Sequence, residues 1–169
     1  MKRRPPTQKF PGFTLIEVLV VLLIMGLFVG LVSAVVRPDE RGLLRIEAER
    51  LAQLLDLAVA ESHLTGKSIA WTADGPAYRF WHTAEAADGT AQWSEILDND
   101  LLRARRLPQG MMITELQIET LPARGPMRLE FPAYGTTMSF VVAVSLGTAS
   151  YAVAMSPMGE VRVLPGQGN

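Results

Sequence analysis

No cysteine occurs anywhere in the 169 residues. That excludes a disulfide framework and thiolate chemistry, and it removes the usual ligands of structural zinc. Histidine is nearly as scarce. His63 and His82 are the only two, and neither stands in a metal-ligand spacing such as HExxH. No glycine-rich phosphate loop occurs, and no serine sits in a nucleophile elbow. A satisfied or solvent-facing role is the expectation for both histidines, with no catalytic residue, cofactor or metal. Asp98 and Asp100 come nearest to a cation site, but the ligand count does not suit calcium and a solvated loop is expected. A large excess of one charge is lacking too. The balance of 16 basic against 17 acidic residues gives a net charge of −1, so nothing argues for a nucleic-acid partner. Internal repeats and long low-complexity segments are also absent.

What the sequence does have is one long apolar run near its start, from Gly12 to Val36. A single carboxylate, Glu17, interrupts it, and Val18 to Val36 is 19 residues without a charge. As a helix those residues extend roughly 28 Å, close to the hydrocarbon thickness of a bilayer. A carboxylate at such a place costs on the order of 3 kcal/mol, so it is expected to have a task and a positive partner. Ahead of the run lie Lys2, Arg3, Arg4 and Lys9, which hold the start of the chain on the cytoplasmic side. An ordinary secretory signal cut after Val32-Ser33-Ala34 is one alternative, but it needs a shorter apolar core without a glutamate. A plain membrane anchor with an incidental Glu17 is another. Gly26 and Gly30 form a GxxxG pair on one helix face, which permits close helix packing.

Gly12, Phe13, Thr14, Leu15, Ile16 and Glu17, behind the basic stretch Met1 to Pro11, resemble the processing signal of type IV pilins and the pseudopilins of type II secretion. The resemblance implies cleavage after Gly12 by a prepilin peptidase and N-methylation of Phe13 by the same enzyme. It also implies that Glu17 meets the N-terminal amine of a neighbouring subunit during assembly. Loss of the leader removes four of the 16 basic residues and leaves 12 against 17 acidic.

The expected organisation is a leader over 1–12, a membrane or filament-core helix over 13–36, an amphipathic periplasmic helix over 37–66 and a β-rich periplasmic domain over 67–169. Pro38 is expected to kink or interrupt a helix running from about Phe13 to Thr65. Leu44, Ala48, Leu51, Leu55, Ala58 and Ser62 recur at helical spacing and mark the face that packs on the domain. Gly66 suits a C-cap. Ser68 to Thr72 and Ala77 to Thr83 flank Asp74-Gly75-Pro76 as a hairpin. Residues 84–106 read as a long loop with at most a short element. Strands are expected over 110–120, 127–131, 138–146, 150–156 and 160–164. Trp71, Trp81, Trp93, Tyr78 and Phe80 read as sheet core, one of them being exposed at a subunit contact. The fold class is α+β, with a long helix packed on antiparallel sheets.

Phe131-Pro132-Ala133-Tyr134-Gly135-Thr136 before an apolar strand, and Ser156-Pro157-Met158-Gly159-Glu160-Val161-Arg162-Val163 at the end, resemble the C-terminal pattern of H-type minor pseudopilins. Read alone, these are two tight turns placing strands in register. The resemblance implies a structural subunit, not an enzyme, near the tip of a periplasmic pseudopilus that drives export of folded proteins. Its implied partners are the I, J and K minor types, the major G type, the prepilin peptidase and an inner-membrane assembly platform. The alternative is a minor pilin that primes a type IV pilus or takes up DNA. That reading would look to the cluster Arg103, Arg105 and Arg106, against an acidic balance. A soluble periplasmic protein released after Ala34 is the third reading.

Overall fold

A computed structural model describes residues 13–35, 40–86, 89–123 and 125–166, with side chains of 32–35 left aside. The chain divides into two compact units, Met1–Pro38 and Asp39–Asn169. The described part of the first is one helix, α1, Leu15–Val35. Among the described residues, the second has α2, Glu40–Thr65, followed by ten strands. The expected leader 1–12, with Gly12, and the expected break at Pro38 lie outside the described residues.

The face of α2 expected from spacing is buried in full: Leu44, Ala48, Leu51, Leu55, Ala58 and Ser62. Ala52 and Leu54 are buried beside them and widen the stripe. The width has a cause, because α2 packs on strands of two sheets at once. Alanines at 48, 52 and 58 let those sheets approach the helix axis closely. The remaining surface carries ion pairs one turn apart, Arg45 to Glu49 at 2.7 Å and Arg50 to Glu47 at 2.8 Å. Gly66 ends the helix in the left-handed region, at φ 66°.

The strands are β1 Ile69–Ala73, β2 Ala77–Glu85, β3 Ala91–Glu95, β4 Arg105–Arg106, β5 Met111–Ile118, β6 Leu121–Pro122, β7 Met127–Phe131, β8 Phe140–Leu146, β9 Ala149–Met155 and β10 Val161–Pro165. One sheet runs β3-β2-β1-β7, with β4 also on β2; the other runs β10-β9-β8-β5-β6. All pairings are antiparallel. The β1–β2 hairpin forms where expected. Gly75 takes φ 90° at the first central position of its turn and Pro76 fixes the second, the pattern of a II′ turn.

Three elements differ from the sequence expectation. Within 84–106, β2 continues to Glu85 and pairs with β3, and Arg105–Arg106 add β4. The β3 sequence Ala-Gln-Trp-Ser-Glu is mostly exposed at a sheet edge, so no buried face imposes an alternation to read. β6 was not anticipated at all. Finally, the turn after Phe131 does not pair the strands around it. β7 pairs with β1, and β8 with β5 and β9. Two serines anchor that crossover. Ser62 donates to the Val59 and Pro132 carbonyls at 2.7 and 3.4 Å, and Ala133 N–H donates to Ser68 Oγ at 3.2 Å.

Trp71, Phe80, Phe131 and Phe140 fill the core between α2 and the sheets. Trp81 and Trp93 are not core. Trp81 is half-buried on the opposite face of its sheet and donates to Thr72 Oγ1 at 2.9 Å. Trp93 is 36% exposed beneath Arg128, whose guanidinium carbon lies 4.4 Å from the ring.

Two predictions follow from local strain and burial. The β5–β6 turn places Glu119 at φ 49° and Thr120 at φ 73°, where asparagine and glycine are at ease. Replacing the pair by Asn-Gly should stabilise the chain by about 1–2 kcal/mol, read as a melting point several degrees higher. An unchanged or lower melting point would show that the turn is not strained. Tyr78 is 2% exposed. Burial pushes its phenol up to about 12, against a smaller opposing effect of Arg105. The folded state therefore keeps a proton that the unfolded chain loses near pH 10, so this contribution is intact below pH 10 and falls as pH rises to 12. Alkaline stability curves should show the wild type losing about 2–3 kcal/mol more than Tyr78→Phe across that window. Parallel curves would contradict it.

Candidate functional site: the N-terminal segment

Thr14 starts α1. Its carbonyl accepts from Glu17 N–H at 3.1 Å and from Val18 N–H at 3.3 Å, and its Oγ1 accepts from Glu17 N–H at 3.4 Å. Thr14-Leu15-Ile16-Glu17 thus has the residues of a capping box, threonine at the cap and glutamate three places on. In the sequence Thr14 stands out only as part of the Gly12–Glu17 motif, although its T-x-x-E spacing ahead of an apolar run is also a capping signature. Glu17 sits in the first turn of the helix, where the helix dipole favours a negative charge. One carboxylate therefore has a local role in starting the helix and remains exposed for a second role.

The rest of α1 is apolar on every side. All described side chains from 13 to 31 are exposed, with Phe13 at 77%. A helix apolar all round requires burial in protein or lipid. Among the described residues, no helix is long and apolar enough to cross a membrane. Phe13 and Glu17 lie together at the start of α1. Gly26 and Gly30 lie several turns further on, and a Cβ built on either meets nothing within 4 Å. That leaves their face open for close approach by another helix. Gly12 is outside the described residues.

The other candidates separate. His63 is exposed on the last turn of α2. His82 is half-buried and lines a groove of about 420 Å³ with Glu61, Lys67, Asp98 and Asp100. Asn99 between those aspartates is engaged with backbone, accepting from Leu101 and Leu102 N–H at 2.9 and 3.3 Å. Among the described residues no group of three or more potential ligands is placed to hold a metal ion. Arg103, Arg105 and Arg106 lie together at β4, beside α2.

Residues 8–33 match the model of the prokaryotic N-terminal methylation motif. No curated protein matches the chain in sequence. Its structure is similar to two solved structures of the minor pseudopilin EpsH from the type 2 secretion system of Vibrio cholerae. One has 21% identity and a TM-score of 0.55, covering 75% of this chain and 98% of that one. The other has 16% identity and a TM-score of 0.58, covering 75% and 99%. The type IV minor pilin FimU of Pseudomonas aeruginosa is a looser likeness, at 18% identity, TM-score 0.48 and coverage of 75% and 91%. The chain therefore has a pilin-like α+β fold behind an N-terminal methylation motif. Within that fold class, the chain is similar to the minor pseudopilin EpsH.

The cap gives a direct prediction. Thr14→Val removes Oγ1 and keeps the side-chain shape, at a cost of about 1 kcal/mol to the helix start. In detergent micelles the Glu17 amide should exchange with deuterium roughly fivefold faster. Equal exchange in both chains would remove Thr14 from the site.

Proposed function

We propose that this chain is an H-type minor pseudopilin, a structural subunit of the periplasmic pseudopilus of a type II secretion system. The observation that carries the reading is a single carboxylate in the first turn of an apolar helix, directly behind Gly12-Phe13 and ahead of a pseudopilin fold. Support for a membrane stage comes from the sequence, in the 19 uncharged residues from Val18 to Val36. On this reading a prepilin peptidase cuts after Gly12 and methylates the new amine of Phe13. The helix holds the chain in the inner membrane with its domain in the periplasm, until the assembly platform moves it into the filament.

The chemistry of that transfer follows from two costs. A carboxylate and an amine are each unfavourable in hydrocarbon, and pairing them offsets much of both. Glu17 of one chain and the Phe13 amine of a neighbour supply the pair only when helices pack side by side. Gly26 and Gly30 add a face without side chains for that packing. The filament thus satisfies charges that the lone subunit leaves exposed to lipid. Other minor pseudopilins of the I, J and K types, and the major G type, are the neighbours this reading assigns.

Glu17→Ala tests the role without removing the anchor. The variant should insert in the membrane as well as the wild type does. Its crosslinking yield to other pilin-class subunits should fall at least tenfold, a factor worth about 1.4 kcal/mol. Undiminished crosslinking with undiminished secretion would refute the assigned role of Glu17.

A further inference from the structure

The positive charge of the domain is paired at several places and gathered at one, with Arg41 and Lys67 standing apart from both. Arg45, Arg79, Arg128 and Arg162 are each paired with a carboxylate, Glu49, Asp74, Glu130 and Glu160 respectively. Arg103, Arg105 and Arg106 have no carboxylate partner among the described residues. They join Arg50 around one cleft of about 630 Å³, floored by Tyr78 and Glu47. Glu47 is already bound to Arg50 at 2.8 Å, so four arginines and one carboxylate line the cleft.

The arrangement is built into the fold. Arg105 and Arg106 are held by strand pairing to Tyr78 and Ala77. Buried Leu102 and Leu107 pin the segment at either end, and Leu107 N–H donates to the Pro76 carbonyl at 2.8 Å. Arg105 Nε is buried with no hydrogen-bond partner, and one of its terminal nitrogens reaches only the Asp100 carbonyl, at 3.4 Å. A buried guanidinium N–H left unpaired is costly, so Arg105 relies on its terminal nitrogens, the donors that an incoming anion meets in the cleft. The Tyr78 phenol stays protonated throughout the physiological range and adds a neutral donor.

We propose that this cleft binds a carboxylate-bearing segment of a protein partner, an acidic loop whose Asp or Glu side chains pair with Arg103, Arg105 and Arg106. Guanidinium forks match carboxylates in bidentate geometry. The volume accommodates a few side chains. A nucleic acid would need a basic track along its backbone, whereas Arg45, Arg79, Arg128 and Arg162 are each paired with a carboxylate and Glu47 lines the cleft itself. The inference rests on the assembly reading for the kind of partner, a neighbouring subunit, and adds the chemistry by which the neighbour is recognised.

The test is fluorescence anisotropy of labelled hexaglutamate titrated with the full-length chain in zwitterionic detergent at low salt. Binding is expected to weaken with added salt and to fall roughly tenfold or more in R103Q/R105Q/R106Q. Arg162→Gln, in the other sheet and outside the lining of the cleft, should leave it within about twofold. If the triple variant does not fold, R103Q/R106Q, which alters only exposed side chains, reads the same loss. Absent binding, equal binding by the variants, or tighter binding of a thymidine hexanucleotide of similar charge would each overturn the proposal. Glu17→Ala should bind the peptide as the wild type does, so failure of the cleft and failure of the assembly reading are distinguishable.

Discussion

The globular unit depends on one contact, the apolar stripe of α2 laid against two sheets together. Neither sheet is joined to the other by a disulfide, since there is no cysteine. Leu44, Leu51 and Leu55 on the helix, with Trp71, Phe80, Phe131 and Phe140 from the sheets, form a single cluster. Each large side chain taken fully out of water contributes about 1.5–3 kcal/mol. Removing the helix would expose the inner faces of both sheets and leave the chain crossovers from β4 to β5, β6 to β7 and β7 to β8, with local contacts such as those of β5 with β7, to relate them. The same helix also begins directly after the first unit. The element that organises the domain is therefore the one that connects it to the apolar run.

Glu17 is the corresponding constraint in the first unit. It is compatible with a helix start, through the Thr14 cap and the dipole, and incompatible with an undisturbed apolar environment. A residue favourable in one respect and costly in another can act as a switch between environments. In the proposed function the membrane-held chain carries the cost and the assembled filament relieves it. The arginine cleft would repeat the same logic in the domain, where arginines without a carboxylate of their own gain one from a partner.

Much of this was legible in the sequence. The stripe on α2, its end at Gly66, the β1–β2 hairpin and β7 through β10 follow from periodicity and turn residues, because each is set by local chemistry. The partner choice of β7 was not legible. Nothing in Met127–Phe131 distinguishes pairing with β1 from pairing with β8, and the deciding contacts come from Ser62 and Ser68, more than 60 residues away. Edge strand β3 could be read only as a short element of open type and place within 84–106, because it has no buried face to impose alternation. At the N-terminal site, Phe13 and Glu17 stood out by their type and place, whereas Thr14 was hidden in plain view as a cap. The arginine triplet was visible as a cluster. Its convergence with Arg50 and Tyr78 needed the fold.

The central claim is that the N-terminal segment is processed for assembly beside like subunits. It is tested most directly by crosslinking in cells, purification of the tagged chain, and mass spectrometry of both its N-terminal peptide and its partners. The account predicts a peptide beginning at N-methylated Phe13 and crosslinks to pseudopilins of a type II secretion system. A chain beginning at Val35, with no pilin-class partner, would contradict it.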